Sequence, residues 1–507
     1  MTLGLEQSSH YYNPHHDGIG VSAFARGLAV PKGPPHMNAR ERYVDINRRL
    51  REGRAAVFTA DEFKALATQV DAEELAQRAD IVTVATFAPM CSSGVFINFG
   101  HGSPPIRMET LTLDGVPAYG GIAAVDAYLG ATAERPNDPG FGGAHVIEAL
   151  VRGQRVELSA RGKGTDCYPG REVRTSVGRD DFNEFYFYNP RNVYQNYGAA
   201  TNGGEAVLRT YLGVLRPGYS TVSYATAGAM SPLVNDPECR TIGIGTAAFV
   251  AGSVGMVVGE GTQFNTQAEL DVAGIPMGAA RNLAIKADAK TADPRFLAAA
   301  RVAGYGVSLI IGVGFAIPVL DADMARRLAV RDEDISVLVR DYSRVDRPVV
   351  LRTDYRALRS GSVTVQGVDA RTSCSSSLAG ARRLALELKR RVLEGSFPVR
   401  PPIDSLSCRS SPGPLVMREP DGNIRPGRRT AAAAPERLGP AGYARSLCVD
   451  CGACVAHCTD GALSMGVPDW ELVYRQSDCS ACGACVEVCP RNAFQLKAAL
   501  SRKKSGR

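Results

Sequence analysis

The chain has 507 residues, 45% of them hydrophobic and 22% charged, and a formal net charge of +6. The length suggests about three domains, and the composition is ordinary for a soluble globular protein with a large core. No apolar run approaches the roughly 18 residues that a membrane span needs, and the basic tail Lys497, Arg502, Lys503, Lys504 and Arg507 reads as a solvated end rather than a nucleic-acid arm.

In chain order, residues 1–37 read as a flexible extension rich in Pro, Gly and polar residues, and carry His10, His15, His16 and His36. Order is expected from residue 38. Helical spacing covers 39–51 and 60–79, the latter with Phe63, Leu66, Ala67, Val70, Leu75 and Ala76 on one face. Thr59 and Glu62 form a capping-box signature before it. The β-branched run 81–87 predicts a buried strand, ending in the small-residue turn Met90-Cys91-Ser92-Ser93-Gly94. A strand running into such a turn is where α/β folds place chemistry. Residues 144–151 read as helix and 155–160 as strand. The Gly-rich segments 240–259 and 304–320 carry no phosphate-binding fingerprint, so close backbone packing is the expectation there. A long helix is predicted over 376–395, stopped by the prolines at 398, 401 and 402. Residues 406–440, rich in Pro, Arg and Ala, read as a linker.

Two cysteine runs follow it. Cys448, Cys451, Cys454 and Cys458 repeat as Cys479, Cys482, Cys485 and Cys489 with the same spacing. This is the ligand pattern of a bacterial two-cluster ferredoxin, in which the fourth cysteine of each run ligates the other cluster. Two [4Fe–4S] clusters are therefore expected, one on Cys448, Cys451, Cys454 and Cys489, the other on Cys479, Cys482, Cys485 and Cys458. A zinc site is the alternative for paired CxxC motifs, but it uses four ligands, not eight in this repeat. Pro490 follows the second run, whereas Thr459 follows the first. The module is placed at 441–496, before the tail 497–507. The fold class expected is α/β (mixed), a large core with a small C-terminal α+β ferredoxin domain. Cluster cysteines and the lack of a targeting segment point to a reducing cytoplasm.

Five further cysteines remain. Cys408 lies in the linker; Cys239 follows acidic residues that would raise its pKa; Cys374 opens a serine run before the long helix, whose N-terminus is able to activate a thiol. Cys91 sits in the turn described above. Cys167 lies in the irregular loop Arg161-Gly162-Lys163-Gly164-Thr165-Asp166-Cys167-Tyr168-Pro169-Gly170-Arg171, where three cations favour a thiolate and Asp166 opposes them.

Several of these stretches resemble motifs of the homocysteine-biosynthesis family, the L-aspartate semialdehyde sulfurtransferases. They are residues 90–94, Asn98-Phe99-Gly100-His101, 119–128, Gly164-Thr165-Asp166-Cys167-Tyr168-Pro169, 189–197, 233–237, 240–246 and 259–263. The resemblance spans about 38–405. It implies formation of homocysteine from aspartate semialdehyde and a sulfur donor, with Cys167 as persulfide carrier and Cys91 as the second thiol. Many members carry regulatory CBS domains and use a separate ferredoxin-like partner; this chain shows no CBS pair and carries its ferredoxin fused. Converting an aldehyde and sulfide to a thiol and water consumes two electrons and two protons, which suits two one-electron clusters fed by an upstream low-potential donor. Substrate contacts are assigned by charge and motif position to Arg107, Asp126, Arg161 and Arg171, with His101 able to move protons near neutral pH. Neither nucleic acid nor a membrane is expected as a partner, and homo-oligomerisation is left open. Two other readings stand beside this one: a non-catalytic electron-transfer or redox-sensing protein, and an enzyme inserting sulfur into a different acceptor.

Overall fold

The computed structural model describes residues 37–272, 274–406 and 440–496. The four N-terminal histidines, Cys408, the linker between 407 and 439 and the basic tail lie outside the described residues. No helix among the described residues is long and apolar enough to cross a membrane.

The core is a mixed α/β assembly centred on a ten-stranded sheet. Its strands run, edge to edge, Val57–Thr59, Ile81–Pro89, Gly306–Pro318, Ala247–Val250, Ser253–Glu260, Leu283–Asp288, Glu184–Asn192, Gly94–Asn98 and Asp126–Gly130, with Leu297–Val302 paired to Gly306–Pro318. Only the first pair is parallel; the other pairs are antiparallel. Ile81–Pro89 is buried along nearly its whole length, as its continuous apolar run demands of a strand covered on both faces. A six-stranded sheet joins residues 199–374, and a four-stranded sheet carries the hairpin Val156–Arg161 and Glu172–Val177.

Most elements fall where their periodicity puts them, including Ala39–Arg51, Gly143–Val151, Val156–Arg161 and the long helix Leu378–Leu393. The helix expected over 60–79 is instead two, Ala60–Leu66 and Ala72–Arg78. Asp71 starts the second by accepting a hydrogen bond from the Glu74 N–H at 2.9 Å. Such a cap satisfies an orphan donor and holds the second helix as a separate element. The Gly-rich segments do pack closely: a Cβ on Gly255 would stand 2.4 Å from the Lys286 carbonyl oxygen, and one on Gly380 of the long helix 2.2 Å from the Phe87 ring. The helix thus lies directly on the central sheet, with Leu384 and Leu388 over Gly312 and Gly314.

The C-terminal segment forms two small antiparallel pairs, Ala441–Tyr443 with Phe494–Leu496 and Leu463–Gly466 with Glu471–Tyr474. It is docked on the core, not merely tethered to it. Arg491 pairs with buried Glu148 at 2.8 Å, the Arg301 N–H donates to the Pro490 carbonyl at 2.8 Å, and Arg209 pairs with Glu487 at 2.7 Å. Glu148 also accepts from the Ala299 N–H at 2.7 Å. Burial alone would raise the Glu148 carboxyl; the hydrogen bond and charge of Arg491, with the Ala299 N–H and Arg152, outweigh it and hold it below its usual range. The stabilisation is therefore complete above the ordinary glutamate pKa of about 4.3 and is lost as pH falls through the depressed folded value. Both partners are about nine-tenths buried, so Glu148→Gln should cost about 3 kcal/mol by leaving Arg491 uncompensated. Thermal unfolding at pH 7 and in mild acid is the check: the variant should unfold at a lower temperature at pH 7 and lose less of its stability in acid.

Candidate active site and cysteine cradle

The turn after Ile81–Pro89 is closed by the Ser93 N–H donating to the Met90 carbonyl at 3.0 Å, and it presents Cys91. The Cys91 Sγ lies 3.2 Å from the Ser308 Oγ, on the buried strand Gly306–Pro318. The Ser92 hydroxyl donates to the Arg191 carbonyl at 2.7 Å, tying the turn to the end of Glu184–Asn192. That strand shifts register between Asn189 and Asn192, and Val193 follows with φ of 53°. A bulge of this kind re-aims side chains, as it does beside many active sites.

Cys91 opens onto a cavity of about 430 Å³ lined by Arg191, Asn192, Tyr194, Tyr197, Tyr305 and Arg347, among others. A second, more open space of about 480 Å³ shares Cys91, Arg191 and Tyr305 and adds Glu134. Asn192 is 1% exposed, yet neither its amide nitrogen nor its oxygen has a hydrogen-bond partner. A buried amide left open on both atoms costs free energy unless something else satisfies it; a polar ligand in the cavity would. The Arg191 guanidinium has no acidic partner among the described residues. Tyr194 donates to the Gln263 side-chain oxygen at 3.0 Å. Burial pushes the Tyr194 hydroxyl up to about 12, against the opposing charge of Arg191. Burial likewise raises Tyr305, aided by the nearby Cys91. Both phenols therefore keep their protons at neutral pH. Arginine and amide groups among tyrosines, around a thiol, can hold a small carboxylate-bearing molecule against a sulfur nucleophile.

Cys167 is elsewhere. It is exposed at the tip of the hairpin Val156–Arg161 and Glu172–Val177, in a turn closed by the Thr165 N–H to the Tyr168 carbonyl at 2.8 Å. Two of its three flanking cations have carboxylate partners of their own: Arg161 with Glu172 at 3.7 Å and Lys163 with Glu109 at 3.4 Å. His101 stacks on Tyr168 with ring centroids 5.8 Å apart. Arg107 and Arg171 are exposed beside the same loop, and Asp126 takes a hydrogen bond from Asn98 on the neighbouring strand. The structure thus gathers Cys167, His101, Arg107, Arg161 and Arg171 at one exposed hairpin, and places none of them, nor Asp126, on the wall of the Cys91 cavity. The cavity's own cation and amide, Arg191 and Asn192, were not singled out from sequence. The signal was present in Asn189-Pro190-Arg191-Asn192, but a bulge that turns side chains inward has no local signature.

Of the remaining cysteines, Cys239 is pushed up to about 12 by burial and the charge of Asp236. Cys374 ends the strand Val368–Cys374 and lines a cavity of about 670 Å³ between the core and the cysteine module, together with Cys451 and Trp470. Burial raises the Cys374 thiol, and Arg359 and the Ser376 N–H offset this only in part. The start of the long helix therefore does not activate it.

In the module, Cys448, Cys451, Cys454 and Cys489 line one small hollow. The charges felt by Cys454 come from Cys451, Cys489, Cys448 and Cys485, and those felt by Cys485 from Cys479, Cys482 and Cys458. The hollow thus combines three cysteines of the first run with the fourth of the second, and Cys485 has Cys458 of the first run beside Cys479 and Cys482 of its own. Among the described residues no three His, Cys, Asp or Glu side chains gather around the position of a lone metal ion. These cysteines surround a hollow instead, the donor set a four-iron cube requires. The two loops share a backbone plan: Asp450 and Gly452 have positive φ in the first, Ala481 and Gly483 in the second. The Asp450 and Ala481 N–H groups donate to the Cys448 and Cys479 sulfurs at 3.4 Å, contacts that tune a cluster.

Comparison with known proteins agrees with this division. Residues 55–399 match the family described as homocysteine biosynthesis enzyme, sulfur-incorporation, and residues 442–490 match the 4Fe-4S dicluster domain. An L-aspartate semialdehyde sulfurtransferase of Methanocaldococcus jannaschii is 46% identical over 382 residues, covering 71% of this chain and 72% of its own. One from Methanosarcina acetivorans is 42% identical over 371 residues, covering 72% of each. No solved structure matches significantly. The chain belongs to the family of sulfur-incorporating homocysteine-biosynthesis enzymes, with a 4Fe–4S dicluster domain at its C-terminal side.

Proposed function

We propose that the chain forms homocysteine from L-aspartate semialdehyde and a sulfur donor, the substrate lying in the Cys91 cavity. The observation that carries this is the cavity itself: the Cys91 thiol beside an arginine without an acidic partner and a buried amide with both atoms unpartnered among the described residues, in a chain similar to enzymes named for that substrate. Arg191 faces the substrate carboxylate and Asn192 its remaining polar atoms. Cys167, at an exposed tip, is placed to take sulfur from an external donor as a persulfide. Its transfer to the cavity requires the hairpin to reach Cys91, or a second copy of the chain to present it. Cys91 is the second thiol, receiving that sulfur or resolving the persulfide by exchange. The eight module cysteines would hold two [4Fe–4S] clusters, which when bound would supply electrons one at a time: two to turn aldehyde and sulfide into the thiol, and two more to reduce the disulfide that persulfide exchange leaves.

The test is anaerobic incubation of the full-length protein with aspartate semialdehyde, sulfide and a low-potential reductant. Homocysteine should accumulate; its absence with clusters present would sink the reading. Within that assay, Asn192→Leu should raise KM for the aldehyde about tenfold or more while leaving stability unchanged or higher, because a buried amide without partners is replaced by an apolar group of similar volume. A variant that loses stability and keeps its KM would assign Asn192 to the fold alone.

A further inference from the structure

Tyr305 stands at the tip of the hairpin formed by Leu297–Val302 and Gly306–Pro318. On one side it lines, together with Cys91, both spaces that open at that thiol. On the other side the same hairpin is gripped by the cysteine module. The Arg301 N–H donates to the Pro490 carbonyl at 2.8 Å, Arg491 donates to the Ala299 carbonyl, and Ala303 packs with the apolar residues around the module's cysteines. Glu148 completes the grip by holding both the Ala299 N–H and Arg491. The segment between Pro490, adjoining Cys489, and Cys91 is thus one short hairpin fixed at both ends.

From this geometry we infer that Tyr305 is a catalytic acid of the Cys91 cavity, held in place by the docked module. The inference rests on the proposed aldehyde chemistry. Attack of the Cys91 sulfur on the aldehyde carbon forms a C–S bond and moves the carbonyl π pair onto oxygen. The Tyr305 O–H gives its proton to that oxygen, yielding a hemithioacetal; sulfide then takes the place of its hydroxyl, which leaves as water, and two electrons with two protons release the product thiol and free Cys91. The phenolate left behind faces Arg191 and takes a proton back from water. General acids of this kind contribute about 10²-fold or more. The module then has a second role beside holding clusters: it completes the site by positioning its acid.

Tyr305→Phe keeps the ring and removes only the hydroxyl. In the full-length, cluster-loaded protein it should lower kcat about 10²-fold with KM for the aldehyde within about threefold. In the substrate-free protein, alkylation of Cys91 by iodoacetamide, read by mass spectrometry of the Cys91 peptide, should slow about threefold or more, because the wall it shares with Tyr305 loses its hydroxyl donor. Glu148→Gln, with Tyr305 intact, should slow the same alkylation as the hairpin loosens. A wild type that makes homocysteine beside a Tyr305→Phe variant of equal kcat would overturn the acid role. Unchanged alkylation in Glu148→Gln would overturn the positioning by the module. If wild type made no homocysteine, the proposed substrate would fall, while the alkylation rates would still decide the Tyr305–Cys91 contact.

Discussion

Replacing Cys91 by serine is expected to reduce homocysteine formation on the order of 10³-fold or more, with the fold and the clusters intact. Serine is close to isosteric, and Cys91 is only half-buried, with the Ser308 hydroxyl at 3.2 Å. Its loss should therefore shift the unfolding temperature by no more than about 2 °C. The chemistry is another matter: an un-ionised hydroxyl is a far weaker nucleophile than a thiol, and losing a nucleophile removes most of what its partners contribute. Cys167→Ser should behave differently. Its position on an exposed hairpin, outside the cavity, suits loading rather than bond formation at the aldehyde carbon. That variant should be inactive with a persulfide donor yet recover part of its activity in millimolar free sulfide, which reaches the cavity unaided. Cys91→Ser should not recover. Equal recovery of both variants, or of neither, would separate the two thiols' roles differently from the proposal.

The second large effect concerns the clusters. Cys489→Ala should lower iron from about eight to about four atoms per chain. The informative variant is Cys448→Ala with Cys489→Ala. If the runs exchange their fourth ligands, both substitutions strike one cluster and about four irons remain; if each run kept its own four cysteines, the double variant would hold almost none. The hollow lined by Cys448, Cys451, Cys454 and Cys489 favours the first result. Reductant-dependent turnover should fall more than about tenfold in either single-cluster variant if, as proposed, electrons reach the thiol-forming step through both clusters.

Much of this was legible in the residues alone. The ferredoxin-like spacing is a local property, because three cysteines on one tight loop must reach one cluster whatever surrounds them. The long helix Leu378–Leu393 and the strand Ile81–Pro89 announce themselves by period and by continuous burial, and neither depends on a distant partner for its type. The motifs around Cys91 and Cys167 were equally visible, and so was the family. The exception among the helices, the break between Ala60–Leu66 and Ala72–Arg78, turned on a single cap at Asp71 within an uninterrupted apolar period.

Which side chains surround Cys91 was decided only by the tertiary structure. Ser308 and Arg191 lie 217 and 99 residues from the residues they touch in that turn. They arrive there because Gly306–Pro318 pairs with Ile81–Pro89 and because a bulge turns the end of Glu184–Asn192 inward. Charge and motif position pointed to Arg107, Arg161 and Arg171, yet those arginines sit with Cys167 on an exposed hairpin, since charged residues near a turn minimise their desolvation by staying in water. The docking of the module was equally hidden, because Glu148, Ala299, Arg301 and Arg491 belong to three distant segments. Sequence singled out the candidate thiols and the candidate cluster ligands, whose chemistry is local. Only the folded chain decided which thiol faces a cavity and which residue stands between that cavity and the cysteine module, because both depend on long-range strand pairing.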